Sequence, residues 1–281
     1  MIRTIPTDTI SEQIKEMCIE ANHCLSEDMS LAMKAATETE QSDLGKKILQ
    51  QLQDNLKIAD EETIPICQDT GMAVIFLDIG QDVHLEGEPI EDAVNEGVRR
   101  GYTEGYLRKS IVGDPLIRKN TKDNTPAVIH YSIVPGDKVR ITLAPKGFGS
   151  ENMSRIFMLK PADGIEGVKE AVLTAVKDAG PNACPPMVVG VGIGGTFEKC
   201  AILAKKALTR PVDGHSDVPY IKEMEIELLE KINRLGIGPG GLGGTTTALA
   251  VNIETYPTHI AGLPVAVNIC CHVNRHVVRE I

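Results

Sequence analysis

Along residues 8 to 58 the apolar positions recur with helical spacing. In "TISEQIKEMCIEANHCL", Ile10, Ile14, Met17 and Cys18 fall three to four residues apart or adjoin, so a helix here would be apolar on one face. Ser42, just ahead of "DLGKKILQQLQDNLKIADE", offers an N-cap hydroxyl to a second periodic run. Cys18 and Cys24 read as small apolar fillers of these helices. Past Cys67 the pattern changes to continuous apolar runs. "MAVIFLDIG", "PMVVGVGIG", "TTTALAVNIET" and "LPVAVNICC" predict buried strands. "PAVIHYSIVPGDKVRITLAP" predicts two strands joined as a hairpin at Pro135-Gly136-Asp137. "PIEDAVNEGVRRGYTEGYLRKS", "GIEGVKEAVLTAVKDAG", "TFEKCAILAKKAL" and "DVPYIKEMEIELLEKINRL" predict helices, with Pro89 near the first turn of one and Gly180 closing another. The expected fold class is mixed α/β (α+β). A helical N-terminal segment, about residues 1–60, would pack on a mixed-sheet α/β body, about residues 61–281. The pattern shows neither an internal repeat nor a low-complexity linker.

Composition sharpens this picture. Hydrophobic residues make up 42% and charged residues 24%, a soluble globular balance. Aromatics are 3% and Trp is absent, so Ala, Val, Ile and Leu must fill the core. A formal net charge of −10 argues against non-specific nucleic-acid binding, which needs an excess of Lys and Arg, yet leaves room for a local basic pocket. No apolar run approaches the ~18 residues of a membrane span, and the start lacks the basic-then-apolar order of a secretory signal. Seven cysteines, an odd count, point to thiols kept reduced in a cytoplasm.

Two glycine stretches raise a nucleotide question. "GVGIGG", Gly190 to Gly195, fits G-x-G-x-x-G between a strand and a helix. A dinucleotide fingerprint also needs a second strand ending in an acid about 20 residues on. "TRPVDGHSDVP" follows instead, and it is no strand. "GIGPGGLGGTTT", Gly236 to Thr247, lacks the G-K-[ST] of a P-loop. It is a flexible loop, or a backbone lying close to a ligand or another chain.

Three cysteines stand at punctuation points, where side chains leave the core: Cys67 in "IPICQDTG", Cys184 in "GPNACPP" and Cys271 in "NICCHVNRH". None sits in a C-x-x-C pair, so zinc-ribbon and ferredoxin spacings are absent. Spacing alone leaves them as ordinary thiols or as ligands of a shared metal. Asp69 is either a cap for the turn at Gly71 or an acid–base group. His259, in "YPTHIAGLPV", is either a hydrogen-bonded loop histidine or a general acid or base facing the same cleft as Cys271. His23, His84 and His215 read as surface or loop residues.

From Ile64 to Arg275 the segments "PICQDTG", "YLRKS", "KGFGSEN", "GPNACPP", "GVGIGGTFE", "THIAGLPVAVN" and the C-x-x-x-R of Cys271 to Arg275 follow one another in an order that resembles the class I, iron–sulfur fumarate hydratases and the α subunit of L(+)-tartrate dehydratase. The resemblance implies a [4Fe–4S] cluster on Cys67, Cys184 and Cys271, with Cys270 the rival for the third place. Three thiolates would leave one iron open as a Lewis acid toward a C4 dicarboxylate. It implies Asp69 and His259 in proton transfer, Gln68 and Arg108 on the substrate, and backbone N–H groups of Gly149 and Ser150 on its other end. Single-chain members continue into a C-terminal domain that adds cationic and acid–base groups. The expectation here is a separate β subunit, α–α self-association in a heterotetramer, and the Gly236 to Gly244 stretch as a docking surface. Hydration of fumarate to L-malate is the expected activity, with L(+)-tartrate dehydration the alternative. Readings from other classes are a nucleotide-binding protein and a non-catalytic thiol or zinc scaffold.

Overall fold

The computed structural model describes residues 2–281. The chain begins with β1 (Arg3–Pro6), α1 (Thr7–His23), α2 (Glu27–Thr39) and α3 (Asp43–Glu62). There follow β2 (Met72–Gly80), β3 (Val83–Glu86), α4 (Ile90–Glu104), β4 (Val128–Val134), β5 (Val139–Lys146) and the single turn α5 (Phe148–Glu151). The remainder is β6 (Arg155–Leu159), α6 (Gly164–Ala179), β7 (Met187–Gly194), α7 (Phe197–Ala207), α8 (Pro219–Asn233), β8 (Ala248–Tyr256), β9 (Leu263–Cys270) and β10 (Val277–Glu280). The class is mixed α/β. Among the described residues no helix is long and apolar enough to cross a membrane. The chain divides into two interleaved compact units. One comprises the residues up to Leu25, Ile58–Phe148 and Arg275–Ile281; the other comprises Ser26–Lys57 and Gly149–Asn274.

The first unit is built on a four-stranded sheet in the order β10-β5-β2-β4. β2 is its centre, parallel to β4 and antiparallel to β5. The expected hairpin therefore does not form: β4 and β5 flank β2 rather than each other. The turn between them instead closes on the end of β2, where Gly80 N–H donates to Lys138 O at 2.8 Å and Gln81 N–H to Val134 O at 2.8 Å. The physical reason is burial. β2 reads "MAVIFLDIG" and is buried along most of its length, so it takes the position with neighbours on both edges. Ile10, Ile14 and Met17 of α1 and Val94, Val98 and Tyr102 of α4 cover it. α4 stops at Glu104, with Gly105 as C-cap, so "YLRKS" is loop rather than the end of a helix. Cys18 is the buried filler expected, but Cys24 is not: it caps α1, lies exposed, and its Sγ is 3.8 Å from Asp60 Oδ1.

The second unit carries a sheet in the order β6-β9-β7-β8. α6 and α8 cover one face with Val172, Val176, Leu228 and Ile232, packed on Val189 and Val191 of β7. α7 lies against Gly190 and Gly192, the alternate residues of the same strand. A Cβ on either would come within 2.2 Å of Ala204 O or 2.0 Å of Cys200 O. The G-x-G spacing is thus the two-residue period of a strand whose bare face admits a helix. No strand ending in an acid follows α7. Ser42, as expected, caps α3 by accepting Gly45 N–H at 3.1 Å.

Candidate active site

In the first unit the segment Cys67–Gly71 is a tightly tied turn just before β2. Ile66 N–H donates to Asn22 O at 2.9 Å, and Asp69 N–H donates to Cys67 Sγ at 3.4 Å. The Asp69 carboxylate accepts Gly71 N–H on Oδ1 at 3.0 Å and Phe148 N–H, the start of α5, on Oδ2 at 2.9 Å. Capping is therefore visible in its contacts. Gly71 has φ +76°, a backbone conformation that suits glycine, and a Cβ there would meet the Lys146 backbone at 2.8 Å. Tyr102 OH donates to Thr70 O at 2.7 Å, and burial raises its pKa, so it stays a donor. Thr70 Oγ1 donates to Arg108 O at 3.1 Å, which ties "YLRKS" to the turn. Gln68 and Arg108 themselves are exposed.

Two cations in this unit are buried, Lys146 and Arg275, each 4% exposed. Arg275 Nη2 donates to Asp69 O. Its Nε and Nη1 are out of solvent contact and have no hydrogen-bond partner among the described residues. In the sequence Lys146 opens the "KGFGSEN" segment and Arg275 closes the C-x-x-x-R. The C-x-x-x-R spacing was the signal that could have singled out Arg275.

In the second unit Cys184 is exposed and adopts a left-handed backbone, φ 52° and ψ 63°, after a short 3-10 turn. Its carbonyl accepts His272 N–H at 3.3 Å, and His272 Nδ1 lies 3.0 Å from the same oxygen. This bond sets Cys184 beside the end of β9, where half-buried Cys271 follows the last paired residue. Cys270, opposite Val188 in the sheet and 4% exposed, belongs to the strand instead. α5 is hung on the same end of β9. Ser154 Oγ accepts Ile269 N–H at 3.1 Å, Asn268 Nδ2 donates to Glu151 Oε2 at 2.9 Å, and Lys205 pairs with Glu151. Exposed Gly149 and buried Ser150 are thereby fixed near Cys271.

His259 is not brought to that end. It lies exposed in the turn before β9, with Nδ1 accepting Ala261 N–H at 3.2 Å. The eight residues of β9 are extended between it and Cys271, a span on the order of 25 Å.

Just past the glycine stretch Gly236–Gly244, the chain holds an anion of its own. Glu40 accepts Thr245 N–H at 2.8 Å and Thr246 N–H at 2.7 Å, together with Gln41 and Ser42 N–H at 2.8 Å each. Gly244, at φ +131°, leaves room for the carboxylate.

All seven cysteines are outside disulfides. Among the described residues no three His, Cys, Asp or Glu side chains group as they would around a single metal ion. The donor chemistry nonetheless suits a cluster: loop thiols, a backbone N–H on Cys67 Sγ, and a buried guanidinium with two orphaned donors beside the same turn.

Loops of the two units thus present thiols, an anchored carboxylate and exposed amide and guanidinium groups. The profile of the fumarate hydratase (Fumerase) family matches residues 11–280, and the chain belongs to that family. A Methanocaldococcus jannaschii protein provisionally named as an L(+)-tartrate dehydratase subunit alpha is 43% identical over 278 residues, 97% of each chain. The L(+)-tartrate dehydratase subunit alpha of Escherichia coli strain UTI89 is 34% identical over 89% of this chain and 84% of its own, and that of strain K12 is 33% identical over the same shares.

Proposed function

We propose that this chain is the α subunit of an iron–sulfur hydro-lyase that reversibly hydrates fumarate to L-malate. The observation that supports this most is the Cys67-Gln68-Asp69 turn. It combines a thiol accepting a backbone N–H with a carboxylate held by two more and an exposed amide between them. Cys67, Cys184 and Cys271 would hold a [4Fe–4S] cluster. When bound, the cluster supplies Lewis acidity at an iron without a protein thiolate, which eases departure of a hydroxyl. The Arg108 guanidinium clamps one substrate carboxylate bidentately, and the Gln68 amide hydrogen-bonds beside it. Backbone N–H groups of Gly149 and Ser150 receive the other carboxylate. The Asp69 carboxylate moves the proton of the carbon next to the hydroxyl-bearing one. With Nδ1 accepting Ala261 N–H, the neutral His259 ring carries its proton on Nε2. In this reading His259 orients or charges Asp69 in proton transfer.

Asp69→Asn and His259→Asn are expected to retain iron but lower turnover by about 10² or more. Arg108→Ala should chiefly raise KM. Near-normal turnover in both of the first two variants would move proton transfer to other groups. The α-subunit reading also requires a β chain. The purified chain with intact cluster is expected to show little fumarate hydration until that partner is added, and full activity alone would sink this part of the proposal. The names of the relatives favour a second reading, L(+)-tartrate dehydration. Measuring kcat/KM for fumarate, L-malate and L(+)-tartrate on the assembled enzyme decides between them.

A further inference from the structure

We infer that Arg275 is the buried counter-charge and hydrogen-bond donor of the iron–sulfur cluster at the Cys67 turn, an inference that rests on the function proposed above. A guanidinium is charged at any working pH. Burying one without an anion costs several kcal/mol. Arg275 is 4% exposed, yet only Nη2 has a partner, the Asp69 carbonyl, while Nε and Nη1 have none among the described residues. Asp69 does not answer this need with its carboxylate, which faces the N–H groups of Gly71 and Phe148. The geometry therefore calls for a further anion beside the turn.

Substrate carboxylate is the less suitable candidate. It comes and goes with each turnover, which would leave the buried charge without an anion in the free enzyme. A resident anion fits better. A thiolate-ligated cluster is negative, stays in place, and accepts N–H groups at its sulfurs. The turn already aims one N–H, that of Asp69, at Cys67 Sγ. Arg275 pins the carbonyl of that same residue, so one side chain both shapes the turn and offers charge to what Cys67 holds. Added positive charge and donors at the sulfurs stabilise the reduced cluster and raise its potential.

The test uses the assembled enzyme, reconstituted anaerobically, as wild type, Arg275→Gln and Arg275→Lys, with folding checked by circular dichroism. Iron and sulfide per chain, iron loss to a chelator, and the midpoint potential of the cluster followed by electron paramagnetic resonance are measured. Arg275→Gln is expected to shift the potential negative and to speed iron loss several-fold. Arg275→Lys, which keeps the charge but not the fork, should fall between it and wild type, and it carries the test if the Gln variant does not fold. Folded variants with wild-type potential and iron retention would overturn the inference, as would a raised KM at unchanged potential, which assigns Arg275 to substrate. A wild-type chain that takes up no iron would defeat the proposed function itself, so the two failures are told apart.

Discussion

Replacing Cys67, Cys184 or Cys271 by serine is expected to strip iron from the protein and abolish its activity. A serine hydroxyl is far less acidic than a thiol and a poorer ligand for iron in a cluster. Loss of a direct ligand should exceed the roughly 10- to 100-fold cost in metal affinity that changes outside the ligand shell already produce. The other cysteines supply the control. Cys18 is buried among apolar side chains, so serine there should cost stability, about 1–3 kcal/mol for an unpaired hydroxyl, but spare iron; a serine at 200 keeps the Phe197 carbonyl as acceptor, and should cost less and spare iron too. Cys24 is exposed, and its serine variant should match wild type in both. Cys270→Ser is the discriminating variant, because Cys270 adjoins Cys271 but lies in the strand. Iron and sulfide analysis of each purified variant reads the outcome. Iron lost from Cys270→Ser and kept in Cys271→Ser would reverse the third assignment.

A second large effect is expected at Glu40, far from any cysteine in the sequence. Burial alone would raise its pKa. The N–H groups of Ser42, Thr245 and Thr246 and the Thr246 hydroxyl reverse that, and hold the carboxyl at about 2 against an ordinary value of 4.5. A depressed carboxyl stabilises the fold while ionised. Its contribution, about 3 kcal/mol at neutral pH, is complete above pH 4.5 and drains away as pH falls toward 2. Glu40→Gln should therefore lower stability at pH 7 by about 3–5 kcal/mol, because an amide leaves backbone donors facing an NH₂ group. For a chain of this size that is a fall in Tm of roughly 10 °C. Thermal melts at pH 7 and pH 3 check both parts: the gap between variant and wild type should narrow at the lower pH. An equal gap at both would mean that charge is not the source.

Much of this architecture was legible in local pattern, and what was missed is non-local. The helical periods of α1, α6, α7 and α8 and the Ser42 cap follow from contacts within a few residues, which a sequence displays directly. The Pro135-Gly136-Asp137 signal correctly marked a turn. It carried no information on which strand lies beside β4 and β5, because that depends on β2, more than fifty residues from the turn. β1, β3 and β10 are four residues each, too short for a period to register. Cys184 and Cys271 could be picked out because prolines and a strand end flank them. The separation of His259 from Cys271 could not, since only the extended pairing of β9 with β7 reveals it. The threonines that follow the glycine-rich stretch give their N–H groups to a carboxylate some two hundred residues earlier in the chain, a pairing no local pattern displays.

The interleaving of the two units bears on how the chain is made. β10 pairs with β5 and closes the edge of the sheet whose centre is β2. That edge strand consists of residues 277–280, so the first sheet cannot be completed on the ribosome until those residues, more than 130 after β5, have emerged. While residues 149–274 of the second unit are threaded out β5 presents a bare edge, and such an edge invites pairing with a neighbouring nascent chain. Arg279 and Glu280 follow Val277 and Val278 along β10, so the strand that finally covers the edge brings charge to its rim. Order of emergence, rather than local propensity, sets the period during which this fold is most exposed to misassembly.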